Sequence, residues 1–190
     1  MISCNSIILI GVKHCGKSTI GKLLAQKLNC PFFDTDELIQ KLTKKSARDL
    51  YNEFGVSTFM QTETKVCQLI AEKFSGKKII VSTGGGICDN PQALIELSPL
   101  GKFVFLNADE EIIVQRVFAE AKYNATTNSV IGIPAYIAQK KPESLEEAKK
   151  IFKTIYEERV ELYKKTADIV FQMESDSAEK NVENLLRSLS

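Results

Sequence analysis

Residues 7–25 read IILIGVKHCGKSTIGKLLA. Ile7, Ile8, Leu9 and Ile10 form a short continuous apolar run, the pattern of a parallel strand covered on both faces. From residue 19 to 28 the apolar positions Ile20, Leu23, Leu24 and Leu28 recur at spacings of three and four, which predicts a helix with one stripe against the sheet. Between them stand Gly11, Gly16, Lys17 and Ser18, the pattern G-x-x-x-x-G-K-[ST] in its required context of strand before and helix after. The glycines let the backbone of Val12, Lys13, His14 and Cys15 turn inward, so that successive N–H groups point at phosphate oxygens. The helix start at Lys17, Ser18 and Thr19 adds its positive dipole end. Lys17 is expected to reach the β and γ phosphates, and the Ser18 hydroxyl to serve a magnesium ion that bridges them. A chance glycine turn would not need four fixed positions in that context.

Outward from this loop, strand and helix alternate. A second strand, 31–34, ends at Asp34-Thr35-Asp36, where the carboxyl end of a strand opens into a binding crevice. Asp36 is either a functional carboxylate or the N-cap of a helix over 37–44. Helices are expected over 47–54 and 58–74, broken at Gly55, with Val66, Leu69, Ile70 and Phe74 apolar and Gln61, Thr62, Glu63 and Lys65 polar. A third strand, 79–81, leads to Gly84-Gly85-Gly86, again at a carboxyl end, where bare backbone suits close approach by a ligand or another chain segment. The triplet lacks the spacing of a dinucleotide fingerprint. A helix over 91–97, a strand over 103–106 and a helix over 108–121 bearing Arg116 follow. The stretch 123–139, YNATTNSVIGIPAYIAQ, has no charge and no period and reads as a mobile flap. A long helix, 144–166, carries Arg159, and a fifth strand, 168–173, and a closing helix, 178–189, complete the pattern. No repeat or linker interrupts it, so a single domain over 1–190 is expected.

Whole-chain properties agree with a small charged ligand. Of 190 residues, 25 are Lys or Arg and 24 Asp or Glu, for a net charge of +1, which gives no electrostatic footprint for nucleic acid or an anionic membrane. Hydrophobic residues make up 44%, enough for a core, without an apolar stretch of spanning length. A cytoplasmic monomer is the expectation. Cys4, Cys15, Cys30, Cys67 and Cys88 are scattered, with no C-x-x-C pair, and are read as reduced structural residues. Cys15 is expected to be a small filler rather than a reactive thiolate. His14, the one histidine, is expected to be a loop spacer whose N–H matters more than its ring.

Phosphate loop, hydroxyl and carboxylate pair together imply phosphoryl transfer. A guanine-reading N-K-x-D element is absent, since Asn107-Ala108-Asp109 lacks the lysine. A small-molecule kinase needs a second pocket and a water-excluding flap, and the chain has segments for both.

The segments GVKHCGKSTIGKLLA, PFFDTDELI, STGGGI and ERVELYKKTAD resemble the shikimate kinase family over nearly the whole chain. The resemblance implies a three-layer α/β P-loop kinase fold, with a five-stranded parallel sheet of order 2-3-1-4-5 and helices on both faces. It further implies an acceptor-binding insertion at about 34–65 and a mobile lid at about 122–142. ATP and magnesium would bind around Lys17, with Ser18 and Asp34 holding the metal and Arg116 near adenine and phosphates. Asp36 would bind the acceptor hydroxyl and assist loss of its proton. Gly84, Gly85 and Gly86 would offer backbone N–H groups to the acceptor, and Arg159 would pair with the acceptor carboxylate. Two positions depart from the family pattern: Met60 follows Phe59 where an arginine is usual, and Ile133 precedes Pro134 where the lid usually has one. A second alignment puts Lys141-Pro142 there instead. The readings left open are phosphorylation of shikimate, phosphorylation of a less acidic alcohol for which Met60 shapes the pocket, and a nucleotide-binding regulator without turnover.

Overall fold

The structure is a computed structural model and describes residues 6–189. Cys4 lies outside the described residues. Five parallel strands form the central sheet: β1 (Ser6–Ile10), β2 (Phe32–Asp34), β3 (Ile80–Ser82), β4 (Gly101–Asn107) and β7 (Ile169–Gln172). Their order is β2-β3-β1-β4-β7, the expected order, with β7 as fifth member because a separate hairpin precedes it in the chain. All five residues of β1 are buried, as a central strand with neighbours on both edges requires. Its register sets Ile8 beside Val81 and Phe103.

The helices are α1 (Lys17–Lys27), α2 (Thr35–Thr43), α3 (Ala47–Phe74), α4 (Pro91–Leu97), α5 (Glu110–Val117), α6 (Ala135–Ala138), α7 (Leu145–Thr166) and α8 (Ala178–Ser188). The span α3 is two helices that break at Gly55, as expected, where the backbone leaves helical geometry at φ 81 and ψ 174. A side chain would strain at that φ, so the glycine sets the bend. The kink folds the first segment back, and Tyr51 meets Phe59 edge-on at 6.0 Å. On the second segment Glu63 shares the buried stripe of Val66, Cys67 and Ile70, at the offsets of three, four and seven that mark one helix face.

Three local expectations are corrected. Asp34, not Asp36, caps α2: its Oδ1 accepts from the N–H of Asp36 at 3.0 Å and of Glu37 at 3.4 Å. The capping acid is the one still in extended conformation, the geometry an N-cap requires. The helix expected over 108–121 ends at Val117. The flap is not aperiodic throughout, because β5 (Lys122–Asn124) and β6 (Ser129–Ile131) pair as an antiparallel hairpin. Its turn is built by Asn124, whose side chain accepts from the N–H of Thr126 and Thr127 at 2.9 and 3.3 Å, an Asx turn. Beyond it Ile133 and Ile137 are buried and anchor the short α6.

Candidate active site

The carboxyl ends of β1, β2 and β3 open on one cleft of about 510 Å³. One wall is the loop after β1. His14 and Gly16 adopt positive φ, 66 and 101, and the Cys15 N–H donates to the Val12 carbonyl at 3.3 Å. Lys17, 7% exposed, donates from Nζ to the Gly11 and Val12 carbonyls at 2.8 and 2.9 Å, so its ammonium braces the loop's own backbone. Cys15 is fully buried, with Sγ 3.8 Å from that ammonium, consistent with a filler. Arg116 donates to the His14 carbonyl at 3.0 Å. Burial, followed by the positive charges of Lys13, Lys17 and Arg116, lowers the His14 pKa below its usual value. The ring is therefore neutral at pH 7, and the same cations make the cleft attractive to anions.

Ser18, in the first turn of α1, donates to Asp34 Oδ2 at 2.6 Å and lies 3.4 Å from the Ser82 hydroxyl. This oxygen-only set suits a hard cation. Among the described residues no group of three or more His, Cys, Asp or Glu could hold a metal, and a magnesium ion needs only one or two protein ligands when phosphates and waters complete its shell. Ser18 and Asp34 fit that requirement.

Asp36 lies in the same cleft and turns toward the glycine triplet. A Cβ on Gly84 would stand 3.1 Å from both Asp36 Oδ1 and Glu63 Oε1, so two carboxyl groups flank one bare α-carbon. Asp36 is exposed to solvent in the open cleft, while the surrounding cleft walls raise its pKa, Asp34 raises it further, and Lys17 and Lys13 pull it down. Glu63 is 1% exposed. Its Oε2 accepts from Asn90 Nδ2 at 2.9 Å, while Oε1 has no partner. Burial pushes its pKa up to about 7, opposed by the Asn90 hydrogen bond and reinforced by Asp36 and Asp89.

The triplet serves as a structural joint. The Gly84 N–H donates to Thr35 Oγ1 at 2.9 Å. A Cβ on Gly85 would come within 2.8 Å of the Lys13 nitrogen, so only glycine lets this loop lie against the phosphate loop. The Gly85 carbonyl accepts from Tyr163 Oη at 2.6 Å and Arg159 Nη1 at 3.1 Å. Arg159 also pairs with Asp89 at 3.2 Å and stacks 4.7 Å from the Tyr136 ring. Near Gly86, the Arg159 guanidinium would stand 4.0 Å from an added Cβ.

Thus Lys13, His14, Cys15, Gly16, Lys17, Ser18, Thr19, Asp34, Asp36, Gly85 and Arg116 share one cleft, and Arg159 joins it through Gly85. Met60 faces elsewhere. It lines a separate, open cavity with Val56, Gln61 and Thr64, and its carbonyl accepts from Asn90 at 2.9 Å. Lys141 is exposed beyond α6. Sequence reasoning missed Glu63 as a site residue, although an acid on an apolar stripe was a readable signal. It also missed the segment that runs from the end of β7 into α8, where Met173, Glu174, Asp176 and, on α8, Asn181 form the far wall. Buried Asn181 shapes that loop by accepting from the Glu174 N–H and donating to the Glu174, Asp176 and Ser177 carbonyls. No local pattern in the sequence announced this.

Parallel sheet order, phosphate loop, and a hydroxyl–carboxylate pair beside a second carboxylate-lined recess define a P-loop protein of the small-molecule kinase class. A family model described as shikimate kinase matches residues 13–190. The shikimate kinase of Lactococcus lactis subsp. lactis is 32% identical over 180 residues, 95% of each chain. That of Syntrophus aciditrophicus is 31% identical over 183 residues, 96% of this chain and 89% of the relative. The crystal structure of shikimate kinase from Bacteroides thetaiotaomicron superposes with a TM-score of 0.74 at 27% identity, covering 97% of this chain and 98% of the other. The chain belongs to the shikimate kinase family.

Proposed function

We propose that this chain transfers the γ-phosphoryl group of ATP to a hydroxyl of shikimate. One observation carries the reading: Asp36 sits in the cleft of Lys17, Ser18 and Asp34 while its carboxylate stands over Gly84, so a group that can take an acceptor proton lies between the phosphate loop and the acceptor recess. Family membership supports the choice of acceptor.

In this reading the loop 11–16 binds the triphosphate through backbone N–H groups, with Lys17 and Arg116 supplying positive charge. A magnesium ion held by Ser18 and Asp34 supplies, when bound, neutralisation of the charge spread over the transferring group. Asp36 accepts a hydrogen bond from the acceptor hydroxyl, orients its oxygen and takes its proton, a role that its raised pKa favours. Arg159 faces the acceptor carboxylate, and the lid, 122–142, excludes water. The working form is a cytoplasmic monomer that acts in aromatic precursor synthesis, with neither nucleic acid nor membrane as partner. Among the described residues no helix is long and apolar enough to cross a membrane.

A coupled ADP-release assay with magnesium ATP and shikimate tests this. Turnover is expected in the unaltered chain and a loss of at least about a hundredfold in Asp36→Ala and Lys17→Ala. ATP binding without turnover on shikimate or any other hydroxy acid or polyol would sink the proposal.

A further inference from the structure

Away from the phosphate-loop cleft, α2 and the second segment of α3 enclose an apolar groove. On α2, Leu38, Lys41 and Leu42 recur at offsets of three and four, and on α3 the stripe from Val66 through Leu69 and Ile70 to Lys73 and Phe74 has the same spacing. Two such stripes ordinarily close on each other. Here they stay apart: Val66 and Ile70 are buried, whereas Leu42 and Leu69 remain 53% and 43% exposed. The space they line with Phe33 of the edge strand β2 is a cavity of about 330 Å³, and the Phe33 ring stands 4.5 Å from that of Phe74.

Size and charge together define what the groove takes. Its volume lies in the range of small-molecule pockets, about 300–1,000 Å³, whereas a protein partner needs about 800 Å² of matching surface on each side. Its charge is of one sign. Lys41 and Lys73 line it, and among the described residues no acid does. Lys73 and Lys77 hold their ammonium groups 5.6 and 5.7 Å from the centre of the Phe74 ring. None of these three lysines has a carboxylate within ion-pairing distance among the described residues. The complement is an apolar body that displaces water from the leucines and phenylalanines, bearing one carboxylate for the ammonium groups.

We propose that the α2–α3 groove is a binding site for a small apolar monocarboxylate, its body on Leu42, Leu69 and Phe74 and its charge at Lys41 and Lys73. The site lies outside the phosphoryl-transfer cleft and does not depend on the identity of the acceptor. It nevertheless backs the catalytic face. Phe33 precedes Asp34, and Leu38 stands two residues after Asp36, so an occupant steadies the elements that carry both carboxylates.

Isothermal titration calorimetry of the full chain with octanoate and octylammonium tests the site. Octanoate should bind with a Kd of about 1 mM or tighter. Octylammonium should bind at least about fivefold more weakly, because the lysines then repel the head group. In the double variant Lys41→Glu, Lys73→Glu the preference should reverse in favour of octylammonium, a result that misfolding cannot produce. Amide hydrogen exchange of the unaltered chain should slow at 35–43 and 66–74 when octanoate is added. No heat up to about 10 mM octanoate, equal affinity for the two ions, or protection confined to other segments would overturn the proposal. So would a dimer that octanoate dissociates, since the groove would then belong to a second copy of the chain.

Discussion

Replacing Glu63 by glutamine should make the protein more stable at alkaline pH and change it little in acid. Glu63 is 1% exposed, with one carboxyl oxygen on Asn90 and the other unpartnered. Its pKa rises from an ordinary 4.5 to about 7. The folded chain thus holds this proton more tightly than the unfolded chain does. Below about pH 4.5 both states carry it, and its contribution to stability is fully present. As pH climbs from there through 7 the unfolded chain gives the proton up first, so stability falls, and above 7 the loss is complete. At about 1.4 kcal/mol per pH unit, the loss amounts to about 3 kcal/mol. Glutamine has no charge to bury, can keep the bond to Asn90, and turns an amide toward Asp36. Calorimetric melts of both proteins from pH 5 to 9 isolate residue 63, because every other group titrates in both. The difference in Tm should widen from about 2–3 °C at pH 5 to about 6–12 °C at pH 8.5, in favour of glutamine. A constant offset across the range, or a less stable glutamine variant at pH 8.5, would refute the account of Glu63 as an uncompensated buried acid.

Gly85→Ala places a methyl group 2.8 Å from the Lys13 nitrogen, and because that neighbour is phosphate-loop backbone it should cost about 1–3 kcal/mol. Nucleotide affinity, read by fluorescent-analogue titration, should fall at least about tenfold, and an unchanged Kd would contradict the close approach. Asn90→Ala removes the partner of Glu63, Thr64 and the Met60 carbonyl together. Urea unfolding should record a loss of about 2–3 kcal/mol, and a loss under about 1 kcal/mol would mean that those groups find other partners.

What could be read in advance depended on how far each signal reaches along the chain. The phosphate loop, the strands at its edges and the kink at Gly55 are local patterns, and the helix Pro91–Leu97 was bounded to the residue because proline and asparagine mark its start. Within the site, the cluster of Lys17, Ser18, Asp34 and Asp36 followed from strand ends opening on one edge. The hairpin at 122–131 was not legible as such, since strands of three residues are too short to express a period of two. The β7–α8 wall depends on which strand lies next to β4, a fact of topology that no window of sequence contains. Glu63 was grouped with its polar neighbours, while its position on the helix dictated burial.

The central place of β1 has a kinetic meaning. The phosphate motif occupies a few consecutive residues, yet the strand that presents it pairs Ile8 with Phe103 and Val81, both far along the chain. Parallel pairings of such separation form late, because the intervening chain must be closed into loops before any contact compensates the lost entropy. The most recognisable word in the sequence therefore acquires its shape only after most of the sentence has been folded around it.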